Sequence, residues 1–136
     1  MVQAQETNVF IEHCDFQYSA SWQFVNNMPF SFISSSNNTI TLSNSDLQST
    51  PIVVKNQDIF LHISGNNFSG YRNSLDLEDG NAIVESNTFS FIDNDYIIKL
   101  AGNSSVVFRN NSISNNTCTS LLYIATPSVV ITGNSV

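Results

Sequence analysis

Val106-Val-Phe-Arg-Asn-Asn-Ser-Ile113 reads apolar, any, apolar, any, any, small polar, any, apolar, and five other stretches of the chain read the same way. They are Val9-x-Ile11-x-x-Cys14-x-Phe16, Ile40-x-Leu42-x-x-Ser45-x-Leu47, Leu61-x-Ile63-x-x-Asn66-x-Phe68, Ala82-x-Val84-x-x-Asn87-x-Phe89 and Val129-x-Ile131-x-x-Asn134-x-Val136. The final apolar residues follow one another at intervals of 31, 21, 21, 24 and 23 positions. A repeat of that length is the mark of a solenoid, in which each coil buries its apolar face only by stacking on its neighbours.

Within a copy, the first two apolar residues alternate with period two and so share one face of a strand. The next two positions form a bend and favour small polar types, as at Asn44, Gly65, Ser86, Asn110 and Gly133. The small polar residue points inward at the corner and forms the column Cys14, Ser45, Asn66, Asn87, Asn111, Asn134. Stacked Asn amides can bond to one another and to the turn backbone, satisfying polar groups that the coil would otherwise bury bare.

A second strand is expected after each copy, with inward pairs Phe30/Phe32, Ile52/Val54, Leu75/Leu77, Ile98/Leu100 and Leu122/Ile124. Turns such as Asp79-Gly-Asn81, Gly102-Asn103 and Thr126-Pro127 return the chain to the next coil. The fold class is therefore all-β, a parallel β-helix of about five to six rungs of 21–24 residues, with rungs about 4.8 Å apart. Residues 1–136 form one β-helix segment, and 17–39, which includes Trp22, is an irregular loop excursion in the first rung. Stacking also predicts charge pairs between adjacent rungs: Asp76 with Lys99, Glu85 with Arg109, Glu78 with Lys55 and Asp93 with Arg72. Each is worth at most about 1 kcal/mol, so they favour a register rather than hold the fold.

The pattern resembles the right-handed parallel β-helix repeats of the pectate-lyase-like superfamily. Phe108-Arg-Asn-Asn111 is also similar to the Phe-x-x-Asn repeat of chlamydial polymorphic outer-membrane proteins, although the companion Gly-Gly-Ala-Ile motif is missing. The other copies keep an apolar-x-x-polar skeleton, as in Ile63-Ser-Gly-Asn66 and Val84-Glu-Ser-Asn87. The resemblance implies a β-helix over residues 9–136 and leaves the activity open, because this scaffold carries lyases, hydrolases, adhesins and structural stalks alike.

Four basic residues against eleven acidic ones give a formal charge of -7, which argues against nucleic acid and anionic membranes as partners. Nineteen Asn and 21 Ser, with few Lys and Glu, are a β-and-turn composition. No apolar run is long enough to span a membrane, and no signal peptide is visible at the start. Val136 falls on an inward position part-way round a rung, so a segment of a longer chain is expected.

The catalytic signature sets of polygalacturonases are missing, and no catalytic residue or cofactor is expected. After charge pairing, Asp79 and Asp95 remain as weak candidates for calcium, which needs six to eight converging oxygens. His13 and His62 have no metal-type companions and read as surface residues. Cys14 and Cys118 lie four rungs apart, roughly 19 Å along the axis, too far for a disulfide. Cys14 reads as a small buried corner residue and Cys118 as a loop residue, free or paired elsewhere. Glycosylation sequons begin at Asn37, Asn67, Asn103, Asn110 and Asn115, about as many as this composition produces by chance.

The outward column Phe10, Thr41, His62, Ile83, Val107, Val130 has no regular Thr ladder and is apolar enough to suggest a contacting face. The expected function is a non-catalytic structural or adhesive segment of an extracellular or cell-surface β-helical protein. The alternatives are part of a polysaccharide-binding or polysaccharide-degrading β-helix, and a structural subunit of a larger assembly. Expected partners are flanking rungs of the same longer chain or neighbouring subunits, and carbohydrate.

Overall fold

The computed structural model describes residues 9–17, 30–32, 38–48, 52–55, 59–70, 75–103 and 105–136. All regular structure among them is strand. In chain order the strands are β1 (Val9–Glu12), β2 (Asp15–Gln17), β3 (Phe30–Phe32), β4 (Asn38–Ser43), β5 (Asp46–Gln48), β6 (Ile52–Lys55), β7 (Ile59–Ser64) and β8 (Asn67–Gly70). There follow β9 (Leu75–Glu78), β10 (Asn81–Glu85), β11 (Thr88–Ala101), β12 (Ser105–Arg109), β13 (Ser112–Ser114), β14 (Thr117–Ala125) and β15 (Ser128–Thr132).

Among the described residues every pairing is parallel and none joins strands adjacent in sequence, which is the topology of a solenoid. One sheet has six strands in the order β1-β4-β7-β10-β12-β15. The others form a nine-stranded sheet because β11 runs unbroken through a corner, pairing with β8 and β13 in its first part and with β9 and β14 in its second. The chain is thus an all-β parallel β-helix.

The register is the one the repeat demands. Val9, Ile40, Leu61, Ala82, Val106 and Val129 are successive partners along the six-stranded sheet. On the second ladder Phe16 pairs with Leu47, Leu47 with Phe68, Phe68 with Phe89 and Phe89 with Ile113. On the third, Phe30, Ile52, Leu75, Ile98 and Leu122 align, as do Phe32, Val54, Leu77, Leu100 and Ile124. Of the span 17–39, Gln17, Phe30–Phe32 and 38–39 are strand; the rest, with Trp22, lies outside the described residues.

The first corner turns the same way in each copy. His13, Asn44, Gly65, Ser86, Asn110 and Gly133 all take positive φ, between 49° and 66°. This left-handed bend costs Gly nothing and Asn little. It frees each N–H to donate to the coil above, as Asn44 N does to Ser64 O at 3.1 Å and Ser86 N to Arg109 O at 3.2 Å. At Gly65 a Cβ would stand 2.7 Å from Asn44 Oδ1, so the Asn of one coil occupies the space that the Gly of the next leaves empty.

The core lies inside the coils. Ile40, Leu42, Leu47, Leu61, Ile63, Leu75, Leu77, Val84, Ile98 and Val106 are buried, each large side chain contributing roughly 1.5–3 kcal/mol. Phe68 and Phe89 stack with centroids 4.9 Å apart and planes within 8°, and Phe108 packs on Phe89 at 5.9 Å. In β11 both Ile97 and Ile98 are fully buried, a break in strict alternation.

Candidate functional site

The inward corner column carries a continuous chain of side-chain bonds. Asn66 Nδ2 donates to Asn87 Oδ1 at 3.1 Å, Asn87 Nδ2 to Asn111 Oδ1 at 3.1 Å and Asn111 Nδ2 to Asn134 Oδ1 at 3.0 Å. Each Oδ1 also accepts the backbone N–H of the preceding ladder residue, at 2.9 Å from Asn66, 3.0 Å from Asn87 and 2.8 Å from Asn111. Each Nδ2 reaches back to a strand carbonyl of the previous coil: Leu42, Ile63, Val84 and Phe108. An amide has two donors and one oxygen with two lone pairs, and this geometry uses them all at Asn87. Ser45 continues the column, accepting Cys14 N at its hydroxyl and donating to Ser43 O. Cys14 is half-buried, and its thiol donates to Glu12 O at 3.3 Å.

On the outer face of the six-stranded sheet, three side chains from three strands converge. Arg109 Nε and Nη2 each lie 2.8 Å from Glu85 Oε2, and His62 Nε2 lies 2.8 Å from Glu85 Oε1. A carboxylate only accepts, so Nε2 carries the proton. Glu85 and Arg109 are register partners, as stacking requires. His62 is not: its partner is Ile83, and it reaches Glu85 diagonally. Hydrogen bonds from His62, then Arg109, hold the Glu85 carboxyl below its ordinary value against the opposing effect of burial. The apolar column aligns as expected; Phe10 and Val130 are exposed, while Ile83 and Val107 between them are half-buried.

On the outer face of the third ladder, Lys99 Nζ stands 3.6 Å from Asp76 Oδ1 and 3.7 Å from Glu78 Oε1. Burial alone would depress the Lys99 ammonium, but the charges of Asp76 and Glu78 and the nearby Tyr96 outweigh it and hold it above its ordinary value. Lys55 is the register partner of Glu78, and its side chain lies outside the described residues, as does Arg72. The Tyr96 and Tyr123 rings pack at 5.9 Å and 34° beside Lys99, whose register partner is Tyr123.

Asp79 is not free, contrary to expectation. It sits in the third corner at φ 57°, and its Oδ1 accepts the Asn103 N–H at 2.8 Å, beside Gly102. A turn carboxylate placed this way satisfies a backbone donor on the next coil. The Asp95 side chain is outside the described residues, among which no group of three His, Cys, Asp or Glu converges as metal ligands. Cys118 lies on β14, not in a loop, half-buried against the core, and both cysteines are free thiols. His13 is exposed in the first corner. Of the sequon residues, Asn67, Asn103, Asn110 and Asn115 are exposed and Asn37 lies outside the described residues. No described helix is long and apolar enough to cross a membrane.

The repeat pattern did not single out Asn116. It forms a second Asn bridge at the next corner, where its Oδ1 accepts Ile92 N at 2.8 Å and its Nδ2 donates to Phe89 O at 3.0 Å. The signal was available, since Asn115-Asn116 repeats the bend-then-Asn order of Asn110-Asn111. Phe91 occupies the corresponding bend at φ 56° with two-thirds of its surface exposed. Comparison with known proteins returns no matching family model, no matching curated protein and no matching solved structure.

Proposed function

We propose that the chain is a non-catalytic structural or adhesive segment of an extracellular or cell-surface β-helical protein. The observation that carries this reading is the unbroken coil-to-coil bonding of Asn66, Asn87, Asn111 and Asn134, which ties each rung to its neighbours over the length of the ladder. Outer-face charges bond the same way, Glu85 to His62 and Arg109, and Lys99 toward Asp76 and Glu78. Groups so engaged serve to fix a register and display a rigid surface.

The test is incubation of the purified chain with polygalacturonate, alginate and neutral polysaccharides, followed by chromatography of the products. Unchanged chain length of every polymer supports the reading. Cleavage by the parent that is lost in Glu85→Gln overturns it in favour of a polysaccharide-degrading β-helix. A subunit role has one specific observation in its favour, the exposure of Phe10 and Val130 at either end of the outward column. A concentration-dependent dimer abolished by Val130→Asp would establish it.

A further inference from the structure

We infer that the outer face of the six-stranded sheet seats a second copy of this chain, packed face to face with its coils running the opposite way, so that Phe10 of each copy meets Val130 of the other. This rests on the reading of the chain as a subunit, and names the partner and its arrangement.

Alternation leaves three outward positions on a strand of this sheet, as Asn81, Ile83 and Glu85 on β10. Six strands about 4.8 Å apart, each with three outward positions about 6.6 Å apart, make a face of roughly 29 Å by 20 Å. Two such faces cover about 1,100 Å², the low end of a specific interface, so the dimer is reversible rather than permanent. The central outward position is apolar on four coils. Phe10 and Val130, at the two ends, are 68% and 54% exposed, and Ile83 and Val107 between them are half-buried. Phe60, 40% exposed, adds a ring on the third coil. A patch of this kind on a polar chain marks a contact surface.

The face is complementary to itself. A two-fold axis along the strands, between the third and fourth coils, lays the face on its own copy with the coil order reversed. The first coil then faces the sixth, which sets Phe10 against Val130 of the second copy. The Phe60 rings of the two copies fall on either side of the axis, one coil spacing or about 4.8 Å apart along it, where aromatic rings pair well. The charges match as well. Glu12, on the first coil, extends to the second, where its Oε1 accepts the Ser43 hydroxyl at 3.0 Å. Arg109, on the fifth coil, gives two of its five N–H donors to Glu85 and stays 45% exposed. The second coil of one copy faces the fifth of the other, so each Arg109 faces the Ser43-bound Glu12 carboxylate of the second copy, twice per dimer. Glu85 faces Ser64 of the second copy, not a like charge. Coils running the same way would instead set Arg109 on Ser105 of the second copy and form neither ion pair. On a chain of net charge -7, where encounters between copies are repulsive, that difference selects the reversed arrangement.

The experiment is sedimentation equilibrium of the whole chain from micromolar to near-millimolar concentration, with intermolecular nuclear Overhauser contacts in a mixture of labelled and unlabelled copies. Expected is a monomer–dimer equilibrium with contacts between the Phe10 ring of one copy and the Val130 methyls of the other. Phe10→Ser should weaken the dimer by at least about tenfold, the effect of losing a buried ring. Glu12→Lys should weaken it too, by setting a Lys against Arg109 of the second copy, and added salt should weaken the parent. Phe91→Ser, an equally exposed ring (67%) at another corner, is the control and should leave association unchanged. Unchanged melting temperatures of Phe10→Ser and Glu12→Lys show that each variant is folded. A dimer lost in Val130→Asp but indifferent to Glu12→Lys, or one with Phe10–Phe10 contacts, overturns this arrangement and leaves the subunit reading standing. A monomer at every concentration overturns the second copy as partner, and the structural reading of the chain stands apart from either result.

Discussion

Removing one rung of the Asn ladder should cost more than any surface change nearby. Asn87 is 1% exposed and takes part in four side-chain bonds: it accepts from Asn66 N and Asn66 Nδ2, and donates to Ile63 O and Asn111 Oδ1. In Asn87→Ala the Asn66 backbone N–H and the Ile63 carbonyl lose these partners inside the core. Asn66 Nδ2 retains Leu42 O and Ser64 O, and Asn111 Oδ1 retains the Asn87 N–H. Two stranded backbone groups at about 1–3 kcal/mol each give a loss of about 2–6 kcal/mol. That is a large share of the roughly 5–15 kcal/mol that holds an ordinary domain. Asn87→Asp should fare no better, because its second carboxylate oxygen would face Ile63 O and Asn111 Oδ1, acceptor against acceptor. The control is Asn67→Ala, an exposed neighbour whose loss should stay within about 0.5 kcal/mol. Urea unfolding followed by far-ultraviolet circular dichroism measures both. Equal midpoints for Asn87→Ala and Asn67→Ala would refute the ladder as a source of stability.

Other consequences are as direct. Gly65→Ala should destabilise by about 1–3 kcal/mol, since φ is +66° and the new Cβ meets Asn44 Oδ1 at 2.7 Å; Asn44→Gly in the same chain should recover part of the loss in thermal melts. Phe91→Asn should stabilise by about 1 kcal/mol, because φ 56° suits Asn and the ring is largely exposed. The Glu85 carboxyl is held below its ordinary value, so its contribution is complete above about pH 4.5 and fades as pH falls through its lowered folded value; Glu85→Gln should flatten that part of the acid-stability curve. Exchanging the charges of Glu85 and Arg109 together should restore only part of the single-variant loss in a double-mutant cycle, because an Arg at position 85 would face His62.

The architecture was legible because a solenoid writes its register into its period. Knowing that Val84 follows Ile63 by one coil places Asn87 over Asn66 and Arg109 over Glu85, and the structure has both. Diagonal contacts were not legible. His62 reaches Glu85 two positions off register, which depends on side-chain length and not on alternation. Lys99 was matched to Asp76 alone, yet it stands between Asp76 and Glu78, because a flexible ammonium settles between two similar attractions. Asp79 read as a spare carboxylate, since its partner is a backbone N–H on the next coil and no side-chain count reveals that. The passage of β11 through the second corner hid from a turn-based reading, because Phe91 bends there at positive φ, a conformation that Gly or Asn more often takes. The Tyr96–Tyr123 pair escaped too, because these residues are three positions from a shared register, and strict alternation is broken between them by the adjacent buried Ile97 and Ile98.

The central claim is that the coils lie parallel and in register over an Asn column, and nuclear Overhauser contacts with amide exchange test it most directly. The account predicts that Ala82 shows parallel-strand contacts to both Leu61 and Val106, and that the side-chain amide protons of Asn66, Asn87 and Asn111 exchange far more slowly than those of exposed Asn67. Close Hα–Hα contacts of antiparallel strands, or ladder amides that exchange as fast as Asn67, would contradict it.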